Sequence, residues 1–220
     1  MGKYDWYSRK TWTEKDQADY FARLNRSKTP HHKAQYLWVQ GRELHDAGLT
    51  KEAIPLLDKM LAECPEPFFV PLVCMTKAEC LIALGDVKGA LQSYRLALEV
   101  QQKKPHHRTQ ACYDFGKLVV ENKMTKFYNE ALKILDKMAE TDCPLPVQAY
   151  KENGVRAIIA AHKKQFAKAK EYAEAALKAA HVSKPRFRRH PKFGLVKDRE
   201  SVFYDAIEAI AAKGIKSLSA

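Results

Sequence analysis

Glycine and proline are sparse in this 220-residue chain, at nine and ten residues, too few for a loop-rich or low-complexity protein. Long apolar runs are also missing. Stretches such as AIIAA at 157–161 fall far short of the about 20 apolar residues a membrane-spanning helix needs. The opening MGKYDWYSRK has no apolar core of a secretory signal, and Tyr4 and Asp5 after Gly2 disfavour N-myristoylation. Cysteine is limited to five residues, Cys64, Cys74, Cys80, Cys112 and Cys143. That odd number, set within helical patterns, predicts reduced, buried thiols in a soluble cytoplasmic protein and not a disulfide framework. No GxGxxG, phosphate-binding loop or HExxH occurs, and no serine or cysteine nucleophile stands beside a recognisable base. An enzyme is not expected, nor is a cofactor or a metal.

Positive charge is abundant. Thirty-eight Lys and Arg against 26 Asp and Glu give a net charge of +12. Such an excess favours acidic partners, whether protein, nucleic acid or anionic lipid. Six of the cations (Lys184, Arg186, Arg188, Arg189, Lys192 and Lys197) fall between His181 and Lys197, a stretch with no acid.

The chain also repeats itself. PHHKAQ at Pro30 returns as PHHRTQ at Pro105, and the match at that offset runs on to Trp38/Tyr113 and Gly41/Gly116. LDKM at Leu57 returns at Leu135, with the offset longer by three residues, and CPEP at Cys64 returns as CPLP at Cys143, one residue further out of step. Turns absorb insertions and helices rarely do, so a turn is expected in ENKMTK at 121–126. Each block holds two helical patterns. In the first, Leu37, Trp38 and Leu44 precede Gly48, a helix-ending glycine. Ile54, Leu57 and Leu61 then recur at helical spacing up to Pro65. Pro55 is expected in the first turn or so of that second helix, where a missing N–H costs little. Four such helix–turn–helix units follow one another, their small residues Ala53, Ala90, Ala131 and Ala169 lying 37, 41 and 38 apart.

This arrangement resembles the tetratricopeptide repeat. Gly41, Leu44, Gly48, Ala53, Leu57 and Pro65 carry the resemblance in the first unit, and Ala78, Leu81, Gly85, Ala90, Tyr94 and Ala97 in the second. Gly116, Val119, Ala131, Leu135 and Pro144 carry it in the third, and Ala157, Phe166, Ala169 and Ala176 in the fourth. Met60 and Met138 stand where the family places a small residue, and the periods exceed its 34 residues. The likeness covers roughly residues 33–180. It implies an all-α, right-handed superhelical solenoid that binds a peptide or partner helix on a concave face lined by first helices.

The flanks read as caps, which solenoids need to cover their end repeats. Thr13 and Asp16 suggest a capping box, followed by an amphipathic helix carrying Ala18, Phe21 and Leu24. Val202, Phe203, Ala206, Ile207, Ile210 and Ala211 form a last apolar stripe closed by Gly214. The expectation is ten helices and no strand, as a single structural unit. It comprises an N-terminal cap over 1–29, four repeats over 30–182, and a basic loop with a capping helix over 183–220.

Two surfaces emerge as candidate sites. By position in the family, the concave face would present Gln35, Trp38, Arg42, His45, Leu72, Met75, Glu79, Ile82, Gln110, Tyr113, Lys117 and Val120. Trp38 and Tyr113 could instead pack between helices. The lysine-rich clamp of chaperone-binding members is absent, because Trp38, Arg42, Thr76, Gln110 and Asp114 occupy the matching places. The second surface is an edge of basic corners standing before alternate first helices. It takes His31, His32 and Lys33, then Lys103, Lys104, His106, His107 and Arg108, then Lys184, Arg186, Arg188, Arg189 and Lys192. The paired histidines lack a nearby third ligand and read as loop residues leading into a helix. Phe187 and Phe193, interleaved with arginines, could engage a ligand or fold under the last helix. The function expected is a non-enzymatic scaffold for an acidic protein or peptide, in the manner of a regulator, an assembly factor or a toxin-neutralising immunity protein. The alternative is RNA or ribonucleoprotein binding through the basic edge.

Overall fold

The computed structural model describes residues 5–104, 106–138, 144–184, 187–197 and 199–212, and for Asp5 and Met138 the backbone alone. Among these residues there are ten α-helices, two short 3-10 turns and no strand, as the sequence patterns predict. The helices are α1 (Glu14–Leu24), α2 (Pro30–Asp46), α3 (Thr50–Glu63), α4 (Val70–Ala83) and α5 (Val87–Lys103), then α6 (Ala111–Glu121), α7 (Tyr128–Met138), α8 (Pro146–His162), α9 (Phe166–Ala180) and α10 (Val202–Ala212). None is long and apolar enough to cross a membrane. The chain divides into two compact units, residues 1–111 and 112–220.

One local device builds every hairpin. Gly48, Gly85, Lys123 and Lys164 all take positive φ, at 84°, 82°, 50° and 59°. At each, the next residue's N–H reaches back to a carbonyl in the preceding helix. The four bonds are Leu49 N to Leu44 O at 2.8 Å, Asp86 N to Leu81 O at 2.8 Å, Met124 N to Val119 O at 2.9 Å, and Gln165 N to Ala160 O at 2.9 Å. This is the Schellman closure, which satisfies carbonyls the helix end would leave open. The three inserted residues lie just beyond the third of these turns, where the 3-10 turn Thr125–Phe127 separates Lys123 from α7.

In the first unit α2 packs on α3, α3 on α4 and α4 on α5, and α2 also touches α4. Small residues permit the close approach. A Cβ on Gly41 would sit 2.7 Å from Leu57 Cδ2, and Ala53 and Ala90 are fully buried. Pro55 is the sixth residue of α3, beyond the first turn where it was expected. Its side chain is exposed, and so is Lys51, whose carbonyl loses the helical N–H and can turn to water.

In the second unit α8 packs on α9, α10 lies against both, and α7 touches α8. A Cβ on Gly116 would meet both Val155 methyls at 3.2 Å, and one on Gly154 would meet Ile207 Cδ1 at 2.5 Å. Ala131 and Ala169 are fully buried.

The N-terminal cap is fastened more firmly than its sequence suggests. The capping box at Thr13 and Asp16 forms. The helix face is rotated from the expected one, with Tyr20 and Leu24 buried, Phe21 half-buried and Ala18 exposed. The reason is a cluster of rings: Trp6 and Trp12 close on Tyr20 at 5.7 and 5.3 Å, and Trp6 and Tyr7 lie 4.7 and 4.6 Å from Tyr36. The fully buried Gln40 amide of α2 then exchanges two hydrogen bonds with the backbone of Arg9. The guanidinium of Arg9 binds Asp16 at 2.9 Å and also reaches Asp19. In α10 the buried face is Phe203, Tyr204 and Ile207, whereas Val202 is exposed. Gly214 lies outside the described residues.

Candidate functional site

The inner positions of α2 and α4 hold one another. The Trp38 Nε1–H donates to Thr76 Oγ1 at 3.3 Å, and the Thr76 hydroxyl donates to Leu72 O at 3.1 Å. The Trp38 ring is half-buried and lies 5.8 Å from Phe69. Arg42 donates through Nε to Asp46 Oδ2 at 3.0 Å and through Nη1 to Glu79 Oε2 at 2.9 Å. Burial pulls the Arg42 pKa down, and the Glu79 and Asp46 carboxylates more than reverse it. His45 Nδ1 is 3.3 Å from Thr50 Oγ1, and Gln35 and Met75 are half-buried.

The second unit treats its charges the same way. Tyr113 is only 4% exposed, so its ring is core. Lys117 lies 3.5 Å from Glu121, with its ammonium 5.6 Å from the centre of the Phe203 ring. Asp114 and Lys151 form an ion pair between α6 and α8. Arg156 binds Asp136 at 2.7 Å and Glu152 at 3.0 Å. Gln110, assigned by position to the same face, is half-buried. The cations expected to await a partner on the first helices, Arg42 and Lys117, are thus held by carboxylates of their own unit.

The two His-His copies differ in structure. In the first, Thr29 caps His32 N at 3.2 Å and Pro30 opens α2, so His31 and His32 stand inside the first helical turn. Their rings lean on aromatic neighbours, His31 5.1 Å from Phe69 and His32 stacked 6.0 Å from Tyr36. In the second copy Lys104 occupies the place of Thr29, and the capping threonine comes five residues later. Thr109 Oγ1 accepts from Ala111 N at 3.2 Å, so α6 starts there and His106 and His107 remain in the preceding turn. His107 Nδ1 is 3.1 Å from Pro67 O. A threonine moved by five positions therefore changes a helix start into a corner. Among the described residues no group of three or more potential metal ligands converges.

Beside that corner runs a groove of about 360 Å³, lined by Leu61, Pro65, Pro67, Val70, Leu96 and Val100 together with Lys103 and Lys104. Lys103 pairs with Glu99 at 2.7 Å. Lys104, His106 and Arg108 are exposed and have no side-chain partner among the described residues. The sequence patterns do not single out Leu96 or Val100 of α5, so they do not reveal this groove. Leu96 is 40% exposed. Lys33 is half-buried near Cys64.

The basic segment after α9 is a third surface. Lys184, Arg188, Arg189 and Lys192 are exposed and unpaired among the described residues, while Arg186 lies outside them. Phe187 and Phe193 are exposed as well, so they do not pack under the last helix. Of the cysteines, Cys64, Cys74, Cys80 and Cys112 are buried free thiols. Burial pushes Cys74, Cys80 and Cys112 up to about 12, which makes them poor nucleophiles. Cys143 lies outside the described residues. No protein-family model matches this chain, and no curated protein matches it significantly.

Proposed function

We propose that the chain is a non-enzymatic scaffold: a right-handed solenoid of four tetratricopeptide-like repeats between capping helices that binds an acidic protein or peptide. The recurring Schellman turns, the fully buried alanines and the contact of α2 with α4 as well as α3 support the repeat reading. The observation that carries the partner's chemistry is the groove between α3 and α5. Its lining is mostly apolar and includes Lys104, which, like Arg108 four residues further along the chain, is an exposed cation with no carboxylate partner among the described residues. An apolar side chain of the partner would fill the groove, and flanking Asp or Glu residues would meet the cations. Because Arg42 and Lys117 are already paired, this reading places acidic recognition at the edge and not on the first-helix face.

The test is a pull-down from native lysate with the full chain and with a Leu96→Asp, Lys104→Glu variant, each with and without nuclease. Acidic proteins that survive nuclease and disappear with the variant are the expected result. An identical protein set from both chains, or one that vanishes on nuclease treatment, overturns the reading. Solution scattering tests the architecture. A solenoid has a radius of gyration clearly above the about 17 Å of a compact 220-residue globule, and a value at that figure rejects it.

A further inference from the structure

The segment 187–197 holds two phenylalanine rings out in water, an arrangement that burial of apolar surface opposes. Phe187 and Phe193 are 43% and 56% exposed, their ring centres 5.6 Å apart and their planes at 73°. The rings are not on a loose strand. His190 N donates to Phe187 O and Phe193 N to His190 O, each at 3.0 Å, giving two successive turns that bring the rings together. Just beyond them the chain is fastened to the start of α8. Gly194 O accepts from Val147 N at 2.9 Å, and Val196 is buried. Gly194 has φ of +76°, and a Cβ there would stand 3.0 Å from Leu145 Cδ2, so this anchoring requires glycine. Around the rings stand Arg188, Arg189, His190 and Lys192, all exposed and with no side-chain partner among the described residues. Between His181 and Lys197 the sequence contains no acid.

We propose that this fastened turn, with Phe187 and Phe193 flanked by Arg188, Arg189 and Lys192, is a binding platform for single-stranded nucleic acid. Each base offers a flat π face to a phenylalanine ring or an arginine plane, and each phosphate offers an anion to an unpaired cation. A purely acidic peptide such as polyglutamate satisfies the cations alone and leaves both rings in water. Single strands fit because their bases are unstacked and free to lie on the rings, which duplex bases are not. The platform lies wholly within the second unit and is independent of the groove between α3 and α5. A protein carrying both would bring an acidic protein and a nucleic-acid strand onto one scaffold.

The experiment is fluorescence anisotropy of a labelled 12-nucleotide oligouridylate with the full chain, across a salt series. Binding should weaken linearly in log–log form with a slope near −2 or steeper, as expected for about three phosphates at about −0.7 each. Phe187→Ala with Phe193→Ala should weaken binding about tenfold or more and leave the salt slope unchanged. Arg188→Gln, Arg189→Gln and Lys192→Gln together should flatten the slope. All five positions are exposed, so circular dichroism and melting should match the parent chain. An abasic oligomer of equal length should bind as weakly to the parent as oligouridylate binds to the double-Phe variant. The proposal is overturned if oligouridylate does not bind, if the abasic strand binds as well, or if the Phe variant keeps parental affinity. It is equally overturned if polyglutamate of the same charge competes as well as oligouridylate, which would assign the segment to acidic proteins.

Discussion

Arg42 on α2 and Glu79 on α4 are joined across neighbouring helical hairpins, with Nη1 2.9 Å from Oε2. Both side chains are more than a third exposed, so solvent screens the pair. A double-mutant cycle with Arg42→Ala and Glu79→Ala should give a coupling of about 0.2–1 kcal/mol in urea unfolding. Arg42→Ala should leave capture of acidic partners unchanged, since this cation is already engaged.

Gly41 and Gly154 should tolerate no side chain. With Leu57 carbons 2.7 and 3.0 Å from its would-be Cβ, Gly41→Ala should destabilise the chain by about 1–3 kcal/mol by overpacking. Gly154→Ala meets Ile207 and the Phe203 ring even more closely and should cost at least as much. Introducing Ile207→Val beside Gly154→Ala should recover part of the loss. Thermal melts of the single and double variants measure it.

Lys123 and Lys164 occupy the positive-φ place that Gly48 and Gly85 fill in the other two turns. A side chain there strains the backbone, and glycine removes the strain at some entropic cost in the unfolded chain. Lys123→Gly and Lys164→Gly should each raise stability by about 0.5–1 kcal/mol. Gly48→Lys should lower it by a similar amount. Denaturant midpoints would register both signs.

Cys74, Cys80 and Cys112 should resist alkylation in the native protein at pH 8 and react fully in urea, as peptide mass spectrometry would show. Their thiols stay protonated to about 12 when folded, against an ordinary value of 9.0. Between those values the unfolded chain has released protons that the folded chain retains. Unfolding stability should therefore fall as pH rises above 9, and replacing the three by alanine should flatten that decline.

The hairpins were legible in the sequence because their causes are local. A glycine ends a helix, an alanine lets one through, and an insertion goes where the backbone has already turned. The turn expected in 121–126 is there at Lys123, but the 3-10 turn beyond it runs one residue past that stretch, to Phe127. The fate of the inner charges was not legible. Arg42 meets Glu79, and Asp114 meets Lys151, across 37 residues of chain, and only tertiary packing brings them together. The differing His-His corners were hidden for a subtler reason: the matching letters do not include the threonine that sets the helix start. The groove was missed because leucine at a helical repeat position looks the same whether its neighbour covers it or leaves it open.

Residues 6–12 act as a stopper. Gln40 is sealed by the Arg9 backbone, and Tyr36 lies under Trp6 and Tyr7. Cutting the chain at Trp12 would leave every described α-helix intact but uncork a wet amide and a bare aromatic floor on α2. Such a molecule would fail by self-association through that bared face long before it lost helicity.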